Sequence, residues 1–101
     1  MPTRSPARTI IRDPALAGPA IHPGEMLLEE FLKPLGLTQV EAARQLGISL
    51  NRLNEIILGK RGVTADTALR LAKRFGTTAR SWMHLQADWD IGQAQRRTSA
   101  A

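Results

Sequence analysis

The sequence predicts an all-α protein: five short helices behind an N-terminal arm. Three observations carry this. From residue 23 to residue 91 the large apolar residues recur at spacings of three and four, and no alternating stretch is long enough for a strand. Capping residues (Thr38, Ser49, Thr64) and terminal glycines (Gly36, Gly47, Gly59, Gly76) punctuate those stretches. The loops left between them are roughly 2–5 residues, the spacing of a compact helical bundle. A chain of 101 residues with 43% hydrophobic residues supports one modest core and one domain.

Each element has its own local reason. Residues 1–20 read as a flexible basic arm: Pro2, Pro6, Pro14, Pro19 and Gly18 interrupt any helix, and only Ile10, Ile11 and Leu16 are large and apolar. Arg4, Arg8 and Arg12 hint at a transit peptide, but the prolines spoil its amphipathic helix, and a signal-peptide apolar core is missing. The domain proper is expected over residues 21–92. Pro23 suits a first helical turn, with Glu25 near its positive end and Met26, Leu27, Phe31 and Leu35 as the apolar stripe; Pro34 and Gly36 are expected to stop it. Thr38-Gln39-Val40-Glu41 has the form of a capping box, opening a helix that ends at Leu46-Gly47. Ser49 opens a third helix carrying Leu53, Ile56 and Ile57. Thr64 opens a fourth, with Asp66 in its first turn and a stripe of Ala65, Ala68, Leu69, Ala72 and Phe75. A fifth is expected over about residues 78–92 with Trp82, Leu85, Trp89 and Ile91, followed by a frayed tail, 93–101.

Composition removes several function classes. No cysteine means no disulfide and no thiolate zinc site. Two histidines, His22 and His84, do not make a metal cage, and no metal or cofactor is expected. His22 reads as a helix-entry residue. Glu25, Glu29 and Glu30 lack the partner constellation, nucleophile or glycine-rich phosphate loop that catalysis needs, so no enzyme is expected. No run of about 18 apolar residues is present, so no membrane span is expected. The net charge of +5 and pI of about 11.1 favour an anionic partner. The charge is also segregated. Residues 22–43 carry −3 and residues 44–80 carry +6, which points to two surfaces for two partners.

The turn Leu46-Gly47-Ile48-Ser49 joins two short helices. Gly47 accepts the positive φ such a turn requires, Ala43 permits close crossing, and Ala42, Leu46, Ile48, Leu53 and Ile56 are spaced to bury the inner faces. Residues 39–58 therefore satisfy a DNA-binding helix-turn-helix pattern. The wider stretch 24–76 resembles the lambda-repressor-like family. Ile21-His22-Pro23-Gly24-Glu25, Leu58-Gly59-Lys60-Arg61, Ala68-Leu69-Arg70-Leu71-Ala72 and Trp82-Met83-His84-Leu85-Gln86-Ala87-Asp88-Trp89-Asp90 are similar to the HigA (also called VapI) antitoxins of bacterial toxin–antitoxin modules. The resemblance implies a cytoplasmic, nucleoid-associated homodimer that binds palindromic double-stranded operator DNA, represses its own operon and neutralises a HigB-type ribonuclease toxin.

It also implies site residues. The start of the recognition helix should face the major groove, making Ser49, Leu50, Asn51, Asn54 and Glu55 the base-facing candidates. Asn51 can bond adenine N6 and N7 together, Glu55 can accept from cytosine N4, and Leu50 offers only apolar contact. Gln39, Arg52, Lys60 and Arg61 are the phosphate candidates. Relatives often carry a polar residue at Leu50, Arg at Glu55 and Asn at Leu58. These departures keep open a toxin inhibitor that has lost DNA binding; a stand-alone repressor without a toxin also stays open. Trp82, Leu85 and Trp89 are the expected dimer contacts. Glu25, Glu29 and Glu30, with Ile10, Ile11 and Leu16 of the arm, are the expected toxin contacts.

Overall fold

The structure is a computed structural model, and it describes residues 20–100. The expected arm, including Ile10, Ile11 and Leu16, lies outside the described residues. Among those described there are five helices and no strand. The first, α1, passes through Pro23–Leu27, a π-helical stretch Leu28–Leu32 and a last turn Lys33–Leu35. Then come α2 (Gln39–Leu46), α3 (Leu50–Ile57), α4 (Ala65–Phe75) and α5 (Ala79–Ala100).

The caps follow the sequence closely. Thr38, Ser49 and Thr64 each accept a hydrogen bond from the amide three residues on, and Gly36, Gly47 and Gly76 close their helices in the left-handed region. One detail of the expected capping box differs: the Glu41 carboxylate pairs with Arg44 at 2.5 Å instead of turning back to the cap. An exposed i,i+3 ion pair is the competing use of that side chain.

His22 begins α1, as the sequence indicates. Its Nδ1 accepts the Gly24 amide at 2.9 Å, and its ring stands edge-on to Trp89 at 5.2 Å. Burial holds the imidazole below its ordinary pKa, against the opposing pull of Asp90 and Glu25. The neutral ring is the form that can accept at Nδ1.

Three expectations about helix ends and faces are corrected. Pro34 does not stop α1 but sits inside its last turn. A proline lacks the N–H for an i→i−4 bond and crowds the carbonyl four residues earlier. The π stretch lies just before it, with the Lys33 amide reaching back five residues to the Leu28 carbonyl, which widens the turn. That extra residue shifts the helix phase, so Leu27 and Leu32, five apart, are the buried pair, while Leu35 is exposed. In α4 the buried face is Thr67, Ala68 and Leu71, and Leu69 faces outward at 62% exposure. In α5 the helix continues past Gly92 to Ala100. Residues 93–100 are uninterrupted by proline, so backbone hydrogen bonding carries the helix on where a frayed tail is expected.

The core gathers Leu27, Leu32, Ala42, Ala43, Leu46, Leu53, Ile56, Val63, Ala68, Leu71 and Trp82. Trp82 is therefore corrected from dimer contact to core residue. It is 2% exposed, its ring lies against Phe31 at 5.5 Å, and its Nε1 donates to Thr77 Oγ1 at 2.7 Å. Gln86 ties α5 to the loop before α4. Buried beside Val63, it accepts the Val63 amide at 2.7 Å and donates to Asp90 at 2.9 Å.

Candidate nucleic-acid interface

The first turns of α2 and α3 meet at the surface and enclose a shallow groove of about 470 Å³. Thr38, Gln39, Val40, Leu50, Asn51 and Asn54 line it. The groove exists because the turn between the helices is short. Gly47 takes φ 74°, the Ile48 amide bonds back to the Ala43 carbonyl, and Ser49 caps α3 through the Arg52 amide at 3.0 Å. Buried Ala42 and Ala43 let the helices approach, and Leu46, Leu53 and Ile56 fill the space behind. Ser49, Leu50 and Asn51, at the start of α3, are exposed among the described residues.

Of the five base-facing candidates, Ser49, Leu50 and Asn51 are exposed, and Asn54 and Glu55 are half-buried. Asn51 makes no side-chain hydrogen bond among the described residues, so its amide is available for an external edge. Asn54 Nδ2 donates to Gln39 Oε1 at 3.1 Å, bracing the two helices across the groove. With Oε1 engaged, the Gln39 Nε2 group keeps its donors for an anion such as a phosphate oxygen. Ser49 Oγ spends an acceptor on the cap but retains its hydrogen for donation.

The charged candidates behave differently. Lys60 is exposed and forms no ion pair among the described residues. Arg61 lies against Glu55, with Nε to Oε1 at 2.8 Å and a second nitrogen at 2.6 Å. This fork pairs an expected phosphate contact with an expected base contact. Arg52 already has partners on α4: its guanidinium donates to Asp66 Oδ2 at 3.1 Å and to Thr67 Oγ1. Asp66 is held below the usual carboxylate range by Arg70 and Arg52.

The other candidates lie elsewhere. Trp89 and Leu85 are half-buried on α5, with Trp89 against His22. Glu25, Glu29 and Glu30 are exposed on α1, and Glu29 pairs with Lys33 at 2.8 Å. Sequence reasoning misses Gly24 and Arg70. Gly24 is buried where α1 crosses the end of α3. Arg70 Nη1 donates to the carbonyls of Leu46 and Gly47, at 3.0 and 3.2 Å, inside the turn itself. Nothing local marks either: the constraint on Gly24 comes from the α3 backbone, and that on Arg70 from carbonyls more than 20 residues away.

This arrangement defines a helix-turn-helix protein. Comparison agrees: the chain matches the Helix-turn-helix family model over residues 28–82. It is 51% identical over 78 residues to virulence-associated protein I of Dichelobacter nodosus, a match spanning 77% of this chain and 72% of that protein. It is 37% identical over 75 residues to antitoxin HigA-1 of Vibrio cholerae, spanning 73% and 70%. Among solved structures it is similar to an addiction module antidote protein of the HigA family from Coxiella burnetii, with 44% identity, a TM-score of 0.76, and 81% of this chain and 89% of that one covered. It is also similar to the Pseudomonas aeruginosa antitoxin HigA with its higBA promoter, with 37% identity, a TM-score of 0.77, and coverage of 80% and 88%. The chain belongs to the HigA-type antitoxin family of helix-turn-helix proteins. Among the described residues no helix is long and apolar enough to cross a membrane.

Proposed function

We propose that the protein is a cytoplasmic antitoxin that binds a palindromic operator as a dimer, represses its own operon and neutralises a HigB-type ribonuclease toxin. The observation that carries the DNA-binding half is the open groove from Thr38 to Asn54, with Asn51 exposed on its floor and Gln39 braced by Asn54. A relative of the same family from Pseudomonas aeruginosa has been solved with its promoter DNA. A dimer would present two such grooves to successive major grooves, about 34 Å apart. The half-buried Leu85 and Trp89 and the 56% exposed Ile91 on α5 are the dimer contacts in this reading.

A gel-shift or anisotropy titration against the protein's own promoter tests it. Asn51→Ala is expected to lose about 1–3 kcal/mol on the preferred sequence and to relax preference at one base pair per half-site. Lys60→Ala is expected to weaken all duplexes alike and to flatten the log–log salt dependence by about 1 per half-site. Identical behaviour of the two variants, or salt-independent affinity, contradicts the assignment.

Toxin binding falls to the other surface in this reading, so that DNA and toxin are held together. A ribonuclease has a basic RNA-binding face, and the exposed Glu25, Glu29 and Glu30 on α1 offer the complementary charge. Ile10, Ile11 and Leu16 are the apolar anchors that would slow release. Replacing Glu25 and Glu29 by Lys is expected to slow association with toxin several-fold at low salt. Removing residues 1–20 is expected to speed dissociation while leaving operator binding intact. Surface-plasmon kinetics against purified toxin separate the two effects, and unchanged neutralisation by the shortened chain removes the arm from the interface.

A further inference from the structure

Three groups on α4 reach the two helices of the helix-turn-helix from behind. Asp66 Oδ2 accepts from Arg52 of α3 at 3.1 Å and from Arg70 at 3.0 Å. Thr67 Oγ1 accepts from the same Arg52. Arg70 continues to the carbonyls of Leu46 and Gly47 at the end of α2. One carboxylate thus joins a guanidinium that belongs to the recognition helix to a guanidinium that grips the turn before it. The carbonyls at the end of a helix are unsatisfied and carry the negative end of its dipole, so a cation there has a defined place. The guanidinium of Arg70 is planar and has five donors, enough to serve carboxylate and carbonyls at once. Lysine has the charge without the fork.

We propose that Asp66 and Arg70 are positioning residues for DNA recognition, setting the angle at which α3 presents Asn51 and Leu50. This rests on the DNA-binding reading above. It reverses the naive expectation for Asp66. By charge alone, removing an acidic residue beside two arginines should tighten binding to any polyanion. As a positioning residue, its loss frees Arg52 and Arg70 to meet phosphates indiscriminately while α3 loses its fixed presentation. Non-specific affinity then holds or rises, and affinity for the preferred sequence falls.

The readout is therefore a ratio. Full-length wild type, Asp66→Asn and Arg70→Lys are titrated against two duplexes of equal length: the one wild type enriches from a random pool, and a scrambled control. The ratio of affinities is expected to fall about tenfold in both variants, with the scrambled duplex bound as well as before or better. A loss of folded protein alone would lower both affinities together and leave the ratio unchanged, and that result overturns the proposal. Arg70→Lys preserves net charge, so a fall in its ratio cannot come from added positive charge.

Amide hydrogen exchange supplies a second measurement that needs no DNA. The amides of Ile48 and Leu53, bonded to the Ala43 and Ser49 carbonyls at 3.1 Å each, are expected to exchange several-fold faster in both variants, while the α5 amides around Trp82 keep their rates. Unchanged exchange at Ile48 and Leu53 overturns the positioning role whatever the DNA results. A wild-type protein that enriches no sequence, with faster exchange in the variants, overturns the DNA-binding reading and with it the recognition role.

Discussion

Gly24→Ala is expected to disrupt the fold more than any other single methyl group added to the chain. A Cβ built on Gly24 would lie 1.8 Å from the Ile56 carbonyl oxygen, 2.6 Å from its carbon and 2.8 Å from the Ile57 Cα. All three are backbone atoms of the end of α3, and none can move as a flexible side chain can. Helix α1 would have to lift away, exposing Leu27 and Leu32 and withdrawing the His22 cap. A loss of about 4 kcal/mol or more is expected. For a domain of this size that lowers the melting temperature by about 20 °C. Gly36→Ala is the control. It has φ 68° but nothing within 4 Å of its Cβ, so it costs only about 1 kcal/mol of backbone strain. Thermal denaturation followed by circular dichroism compares them. Equal melting temperatures for the two variants would mean that α1 does not approach α3 as described.

Trp82→Ala is the second large effect. Removing a fully enclosed indole leaves a cavity between Phe31, Thr77 and the core, and orphans the Thr77 hydroxyl. About 3–5 kcal/mol is expected to be lost. Trp89→Ala, half-exposed and packed edge-on to His22, is expected to cost clearly less. In chemical denaturation the midpoint of the Trp82 variant should fall well below that of the Trp89 variant. A Trp82 variant that stays as stable as wild type but sediments as a monomer would return this residue to a dimer interface. The two tryptophans are seven residues apart on one helix, and spacing alone gives them the same role. What separates them is burial: Trp82 is enclosed in the core against Phe31 and Thr77, while Trp89 stays half-buried with its ring against His22.

The helix-turn-helix was legible because its requirements are local. A cap bonds an amide three residues away, a closing glycine needs only its own φ, and the crossing of α2 and α3 depends on Ala42, Ala43 and Leu46 within one short span. The exposed start of α3, with Leu50 and Asn51, follows from the same short-range pattern. The acidic α1 and the basic segment after it were likewise legible as composition.

Residues far apart in sequence settled the rest. Arg52 and Asp66 are 14 positions apart, and Arg70 is 24 from the Leu46 carbonyl it holds. A cation's place in the sequence states its charge but not its partner. Arg52 and Arg61 both read as phosphate contacts, and each found a carboxylate inside its own fold. Long flexible side chains reach whichever acceptor the packed helices place within about 3 Å, and only the packing says which acceptor that is. Leu35 and Leu32 exchanged places for a related reason: the widened turn before Pro34 adds a residue to the helix repeat, and a periodic pattern cannot report where its own period changes. Gly24 shows the limit most sharply, since its need for a bare Cα comes from the Ile56 carbonyl, 32 residues away in the chain and in contact only once α1 has docked.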